Sequence, residues 1–174
     1  MRSWLIERHG GSEVLGIVQK PIPEPGAREV RVRIHAVGLN HLDVWVRKGV
    51  PGHHFPLPLI PGSDGAGVID SIGAMDAQAA AELKSQGLSV GSEVVINPGV
   101  SCGKCEHCKS NAEPLCREYK ITGEARDGCA TEYVVLPAAN VVAKPSALSF
   151  AEAAALPIPF VTAWNMVVNR ARVK

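Results

Sequence analysis

The most regular pattern in the chain is an alternation of apolar and polar residues over 29–37. In this stretch, EVRVRIHAV, valine, isoleucine and alanine alternate with arginine and histidine, which predicts a strand with one buried face. Shorter β-branched runs, separated by glycine, proline and asparagine, predict further strands at 15–19, 67–72, 92–97, 132–136 and 140–144. The first 145 residues are therefore predicted to be mainly β, without the regular strand and helix alternation of a parallel sheet.

Two helical segments interrupt the predicted strands. HLDVWVRKG, at 41–49, has the apolar spacing of one or two helical turns that end at Gly49. DAQAAAELKSQG, at 76–87, has Asp76 as a helix N-cap, an alanine-rich body and Gly87 as the terminator. We interpret the second helix as a solvated insertion on the surface.

The pattern becomes helical after residue 148. Ser149 and Glu152 have the spacing of a capping box, and the alanine-rich turn that follows is predicted to stop at Pro157. A second helix is predicted over 160–174, with a basic last turn that suits a helix C-terminus. Because its apolar residues lie on more than one side, we expect this helix to need a packing partner.

Length and composition indicate a folded domain without a nucleic-acid or membrane partner. With 174 residues, 46% of them hydrophobic, the chain can fill the core of one domain, or of one domain and the start of a second. The 18 basic and 17 acidic residues leave a net charge of +1, and no basic run is long enough to follow a nucleic-acid backbone. The sequence contains neither a membrane-length apolar run nor a secretory apolar segment at its N-terminus, so we expect a cytoplasmic protein.

Four of the five cysteines fall in one short stretch, CGKCEHCKSNAEPLC. Two CxxC steps and a longer gap bring all four thiolates within reach of one tetrahedral zinc ion, with Zn–S bonds of about 2.3 Å. Four protein ligands close the coordination shell and leave no position for water or substrate, so this zinc would be structural rather than catalytic. The predicted ligands of one zinc ion per chain are Cys102, Cys105, Cys108 and Cys116.

An iron–sulfur cluster and disulfide bonds are the alternatives to zinc. The common four-iron motif has its fourth cysteine three residues after the third and before a proline, whereas Cys116 follows a longer gap and precedes Arg117. Disulfides are rare in a reducing cytosol, and five cysteines would leave one unpaired. We expect His107 to be solvated and Cys129 to be a small hydrophobic residue at a strand edge.

A series of motifs resembles the medium-chain dehydrogenase/reductase superfamily, which includes zinc-type alcohol dehydrogenases and zinc-free quinone oxidoreductases. The matching segments follow the family's order and are AVGLNHLD, LPLIPGSDGAGVIDSIG, VGSEVVINPG, the cysteine-rich stretch, ATEYVVLPAANVVAKP and SFAEAAALPIPFVTAW. The resemblance implies that 1–148 form the family's GroES-like catalytic domain, a partly open β-barrel with its structural zinc lobe at 100–118. It also implies that 149–174 form a helical connection toward a cofactor-binding domain.

The alcohol dehydrogenases of this family have a second, catalytic zinc, and the resemblance locates its ligand positions in this sequence. The first cysteine position falls on Asn40, the histidine position falls on Ser63, and the last cysteine position falls near Ile158. The side chains at these positions are thus an amide, a hydroxyl and a hydrocarbon. Zinc prefers the two thiolates and the imidazole that the family's alcohol dehydrogenases have there. The sequence therefore predicts no catalytic zinc.

Several polar residues remain on the segments that the family brings together at its cleft. Asn40 resembles the quinone oxidoreductases at this position, and it either donates a hydrogen bond to the substrate carbonyl or caps the end of a strand. His41 either shuttles a proton or is uninvolved, and Asp43 and Asp64 either orient their neighbours or act as acid and base. Thr162 is the position that the family places against the nicotinamide.

The resemblance implies a nicotinamide cofactor, NADH or NADPH, which the family binds on a Rossmann domain with a GxGxxG loop between a strand and a helix. GSDGAG at 62–67 has its glycines in another order and precedes a predicted strand, so it is interpreted as a turn. The sequence stops where the family enters its Rossmann domain, and we therefore expect an inactive fragment of a longer enzyme that reduces a carbonyl, enone or quinone.

Two other functions remain open from the sequence. The chain could be a free-standing zinc-binding β domain that binds a protein partner, since folds of this kind serve several functions. It could also be a zinc-dependent alcohol dehydrogenase that uses His41 and Asp64 as unusual ligands. The apolar surface of the last predicted helix could further support a homo-oligomer.

Overall fold

Strands make up most of the regular structure in residues 1–173, the part of the chain that the computed structural model describes. The strands are β1 (Arg2–Ile6), β2 (Leu15–Gln19), β3 (Glu29–Gly38), β4 (Asp64–Ile72), β5 (Glu93–Ile96), β6 (Gly99–Val100), β7 (Lys120–Ile121), β8 (Tyr133–Pro137) and β9 (Val141–Ala143). The helices are α1 (His41–Lys48), α2 (Ala77–Ser85), α3 (Glu106–Lys109), α4 (Phe150–Ala154) and α5 (Pro157–Trp164). The predicted mainly β class is confirmed.

A five-stranded antiparallel sheet in the order β8-β3-β4-β5-β9 forms the centre of the structure. Its two edge strands are consecutive in the chain and are joined only by the 3₁₀ turn Ala138–Asn140. A connection of this length spans at most about 14 Å, whereas the edges of a flat five-stranded sheet lie about 19 Å apart. The sheet must therefore curl until its edges approach each other, as in a partly open barrel.

The alternation over 29–37 places one face of β3 in the core. Val30 and Val32 are fully buried, whereas Arg33 and His35 are exposed. The buried valines belong to the main core, whose other members on the sheet include Ile69, Val94, Ile96, Leu136 and Val141. The predicted strands at 15–19, 67–72, 92–97, 132–136 and 140–144 are all present, with ends that differ by at most a few residues.

An N-terminal hairpin is the main element that the sequence pattern does not predict. β1 pairs with β2 from Arg2 opposite Gln19 to Ile6 opposite Leu15. The hairpin attaches to the sheet through long-range contacts, among them the hydrogen bond from Trp4 N to Ala130 O at 2.9 Å. In β1 the polar Ser3 is buried and Trp4 is partly exposed, so the usual apolar alternation is missing.

The two helices predicted within the β region are present, and their ends match the expected signals. Gly49 follows α1 with a φ of 79°, a conformation that favours glycine. Asp76 caps α2 by accepting a hydrogen bond from Ala79 N at 2.9 Å. The interpretation of α2 as a solvated surface helix holds for its outer face only, because Leu83 on its inner face and Leu88 just after it belong to the main core.

The C-terminal helices differ from the prediction in where the second one begins. Ser149 and Glu152 form the predicted capping box, and α4 packs its alanines against Ala66. The second helix starts at Pro157 rather than after it, because proline is favoured in the first turn of a helix. Beyond α5 the chain continues as a π-helical segment, Asn165–Arg170, and Lys174, the last residue of the predicted helix, lies outside the described residues.

Most large apolar side chains of α5 and the π-helical segment are exposed. Phe160 and Trp164 each keep 64% of their surface accessible, and Val161, Met166 and Val167 are exposed as well. These exposed side chains agree with the expectation that this helix needs a packing partner. No helix within residues 1–173 is long and apolar enough to cross a membrane.

We predict that Leu83→Ala lowers the free energy of unfolding by roughly 2–5 kcal/mol, because it removes a buried side chain from the main core. The matched control is Lys84→Ala, which changes the exposed neighbour on the same helix and should shift the free energy by less than about 0.5 kcal/mol. Chemical denaturation followed by circular dichroism measures both. Equal effects of the two substitutions would show that α2 does not pack on the core.

Candidate zinc lobe and polar cleft

The four clustered cysteines come together in a lobe that projects from the sheet between β6 and β7. Their sulfur atoms all lie within 4.8 Å of one another, and the Sγ atoms of Cys102 and Cys108 are 3.8 Å apart. Four sulfur atoms at Zn–S distances of about 2.3 Å stand about 3.8 Å apart around a tetrahedral ion. Within residues 1–173 this is the only group of three or more histidine, cysteine or acidic side chains with such convergent ligand atoms.

Short helical turns position the sulfur ligands. Cys105 precedes α3 and its carbonyl accepts a hydrogen bond from Lys109 N at 3.0 Å, which places Cys108 one turn further on. Cys116 follows the 3₁₀ turn Glu113–Leu115 and donates its N–H to Glu113 O at 2.9 Å. The lobe therefore combines two tight turns that direct their cysteines to one point.

Backbone hydrogen bonds prepare part of the cluster for a cation. The N–H groups of Lys104 and Cys105 donate to the Cys102 sulfur and lower its pKa to about 6. Despite an N–H donor from Cys108, burial and the neighbouring sulfur atoms raise the pKa of Cys105 to about 11. Binding of a divalent ion would displace the remaining protons, because thiolates are the ligating form.

The geometry of the sulfur atoms favours a single ion over the two alternatives. All five cysteines are free thiols, and the sulfur atoms of Cys105 and Cys108 are 3.4 Å apart rather than the roughly 2.05 Å of a disulfide. A four-iron cluster attaches each cysteine to a different iron atom and needs sulfur atoms further apart than a single ion does. His107 is exposed, as expected, whereas Cys129 is fully buried in the main core rather than at a strand edge.

A network of one amide and two carboxylates connects the start of α1 with the start of β4. Asn40 donates its side-chain N–H to Asp64 Oδ2 at 2.9 Å and its backbone N–H to Asp43 Oδ2 at 2.7 Å. Asp43 also accepts a hydrogen bond from Gly62 N at 3.0 Å, and Asp64 accepts one from Ile158 N at 3.0 Å. Three of the four predicted catalytic residues thus meet at the point where α5 begins.

Burial controls the charge of this network. Asp64 is only 1% exposed, and burial raises its pKa above the ordinary value, although the hydrogen bonds from Asn40 and Ile158 act in the opposite direction. Burial also raises the pKa of Asp43, against hydrogen bonds from Asn40 and Gly62. The polar cleft, defined as Asn40, Asp43 and Asp64, therefore holds two carboxylates that are costly to ionise.

His41 and Thr162, the other predicted site residues, lie apart from this network, and Ser63 is buried away from solvent. His41 is exposed, and its ring stands edge-on to Trp45 with 4.9 Å between ring centroids. Thr162 is exposed on α5. Ser63, at the position of the family's zinc-binding histidine, is fully buried, and its hydroxyl has no hydrogen-bond partner in the described part of the chain.

A groove of about 650 Å³ opens beside the polar cleft, between the N-terminal hairpin and α1. Asn40 and Asp43 contribute polar groups to its lining. The remaining lining is mostly apolar and includes Trp4, Leu15, Ile17, Val37, Leu39 and Val44. Sequence reasoning missed this groove, because part of its wall comes from β1, which the pattern did not predict.

Comparisons with known proteins agree with these features. The family model of the alcohol dehydrogenase GroES-like domain matches residues 26–146. A zinc-type alcohol dehydrogenase-like protein of Schizosaccharomyces pombe is 36% identical over 137 residues, which cover 79% of this chain and 35% of that protein. A crystal structure of an NAD-dependent alcohol dehydrogenase has 51% identity and a TM-score of 0.90, and the match covers 100% of this chain and 48% of that chain. A thermostable alcohol dehydrogenase from Pyrobaculum aerophilum has 35% identity and a TM-score of 0.81, with coverage of 97% and 47%.

The curled sheet and the family match together identify the GroES-like class of domain. The chain belongs to the alcohol dehydrogenase GroES-like domain family, which confirms the resemblance to the medium-chain dehydrogenases. It spans 35% of the yeast relative and about half of the two solved structures.

We predict that each chain binds about one zinc ion tightly. The Cys116→Ser variant should lose this zinc, because the fourth thiolate completes the coordination shell. Cys129→Ala is the matched control, since this thiol is buried in the main core rather than in the lobe. Metal analysis after dialysis measures both variants. Retention of a full zinc ion by Cys116→Ser, or its loss from Cys129→Ala, would contradict the four-cysteine site.

We predict that Asp64→Asn becomes progressively more stable relative to the unchanged protein as the pH rises. A raised folded-state pKa means that ionisation of Asp64 costs the folded state stability above about pH 3.9, the ordinary aspartate value. Asparagine cannot ionise, and its side-chain oxygen can still accept from Ile158 N. Unfolding free energies measured at several pH values give the difference between the two proteins, and a difference independent of pH would refute this account.

Proposed function

We propose that this chain is the substrate-binding part of an NAD(P)H-dependent oxidoreductase that acts on a carbonyl, enone or quinone without a catalytic zinc. The observation that carries the proposal is the hydrogen-bonded network of Asn40, Asp43 and Asp64 at the family's catalytic metal position. Membership of the dehydrogenase family supports the reaction class, and the NAD-dependent relative with 51% identity supports a nicotinamide cofactor.

The side chains at the three catalytic ligand positions are the reason for proposing a reaction without a catalytic metal. Asn40, Ser63 and Ile158 occupy the three ligand positions, and none of them offers the thiolate or imidazole that zinc prefers. The oxygen atoms of Asp64 are already used as hydrogen-bond acceptors by Asn40 and Ile158. His41 faces Trp45 instead of Asp64, so a site built from His41 and Asp64 has no support in this arrangement.

Asn40 is proposed to polarise the substrate oxygen. An amide nitrogen carries two hydrogens, and one of them is directed at Asp64, which leaves the second for a substrate carbonyl. Asp43 fixes the backbone of the same residue, so the amide is oriented before substrate binds. Because Asn40 and Asp43 line the 650 Å³ groove, a substrate of ordinary size can reach the amide.

The structural zinc and the cofactor are assigned to separate places. We propose that the four-cysteine lobe holds one structural zinc ion. Residues 64–67 of this glycine-rich stretch belong to β4 rather than to the predicted turn, and Gly62 N donates to Asp43, so the stretch does not fit a dinucleotide phosphate. The nicotinamide, which supplies the hydride when it is bound, is therefore assigned to the remainder of a longer protein, next to the exposed helix that carries Thr162 and Trp164.

In this assignment, residues of this chain alone do not complete the reaction. The exposed apolar side chains of α5, including Phe160 and Trp164, suit contact with a cofactor-binding domain. We therefore propose that the chain by itself is inactive and that its substrate groove becomes functional in the longer enzyme.

We predict that Asn40→Ala lowers kcat/KM of the longer enzyme by about 10²–10³-fold, the cost of removing one oxyanion donor. The assay uses NADPH and a quinone or aldehyde, and the zinc content should remain unchanged because the lobe is not altered. Lys48→Ala, an exposed change at the other end of α1, is the control and should leave activity within twofold. Activity of Asn40→Ala equal to that of the control would remove Asn40 from the proposed role.

A further inference from the structure

The base of the zinc lobe is closed by a short pair of strands. Gly99 pairs with Ile121 and Val100 pairs with Lys120, and Thr122 N donates to Pro98 O at 2.9 Å. The chain enters the lobe from one of these strands and leaves it through the other. The separation and register of the two strands therefore set how the first three cysteines approach the fourth.

Asn140 holds this base from outside the lobe. Its side-chain nitrogen donates to Asn97 O at 2.9 Å and to Gly99 O at 2.7 Å, and its backbone oxygen accepts from Asn97 N at 2.8 Å. The residue is 6% exposed and lies in the turn that joins β8 to β9. Three hydrogen bonds thus attach the strand entering the lobe to the closing turn of the sheet.

Tyr119 packs against the same stretch of backbone. A Cβ atom on Gly99 would overlap the Tyr119 hydroxyl, so the tyrosine lies directly against this backbone. Tyr119 N also donates to Cys116 O at 3.0 Å, which links the tyrosine to the last sulfur ligand. The backbone at Gly99 is therefore held by Asn140 and contacted by a residue that is hydrogen-bonded to a cysteine.

We propose that Asn140 is a positioning residue for the four-cysteine zinc site, keeping the two strands at the base of the lobe in register. Both hydrogens of its amide are used on backbone oxygens of Asn97 and Gly99, on the segment that leads into the lobe. Without these donors the carbonyl groups of Asn97 and Gly99 lose hydrogen bonds that tie them to the closing turn, and opening of the base becomes easier. The sulfur ligands would then separate more often and release the metal faster.

The test compares zinc release from the zinc-loaded protein and from Asn140→Asp, which keeps the shape of the side chain and removes both donors. Excess chelator with a coloured zinc indicator gives the release rate at a temperature where circular dichroism shows both proteins folded. We expect release to accelerate about tenfold or more, as for other residues that orient metal ligands. Asn140→Ala serves as the second variant where the aspartate form does not fold.

Val141→Ala is the matched control, because Val141 is the next residue, is fully buried in the main core and does not touch the amide hydrogen bonds. It should lower stability but leave zinc release within twofold of the unchanged protein. Cobalt substitution adds a spectroscopic measurement, and its absorption should indicate the same four-sulfur geometry in all variants. Unchanged release from both Asn140 variants, or equal acceleration by Val141→Ala, would overturn the proposal.

Discussion

The short connection between β8 and β9 is the constraint on which the rest of the structure depends. Because only Ala138–Asn140 separate the two edge strands, the five-stranded sheet has to curl. Curling encloses the main core and brings the turn at Asn140 beside the strand that leads into the zinc lobe. One connection thus serves both the closure of the sheet and the placement of the lobe.

The polar cleft joins three segments of the fold through hydrogen bonds. Asn40, Ser63 and Ile158 stand where soft metal ligands are expected, and Asp64 joins two of these segments by hydrogen bonds to Asn40 and to the backbone of Ile158. A carboxylate–amide network can fix the ends of α1, β4 and α5 relative to one another without a metal, although burial raises the pKa of its two acids.

Local signals account for the parts of the structure that the sequence predicted well. The alternation of β3, the caps at Asp76 and Ser149 and the cysteine spacing each depend on neighbours within a few residues. The placement of β1, the groove beside Asn40 and the amide hydrogen bonds of Asn140 depend on contacts between residues far apart in the chain, and such contacts leave no local pattern in the sequence. Leu83 shows the same limit, since an alanine-rich helix looks solvated until its partner strands are known.

The zinc lobe and the N-terminal hairpin close chain loops of very different length, which affects the order in which these parts of the fold assemble. The sulfur ligands close a short loop between Cys102 and Cys116, whereas the hydrogen bond between Ser3 and Thr131 joins residues 128 apart. Loop-closure entropy makes the longer closure about 2 kcal/mol more costly. The chain can therefore gather its thiolates while the N-terminus is still unattached, and attachment of the hairpin beside Thr131 is favoured to occur late.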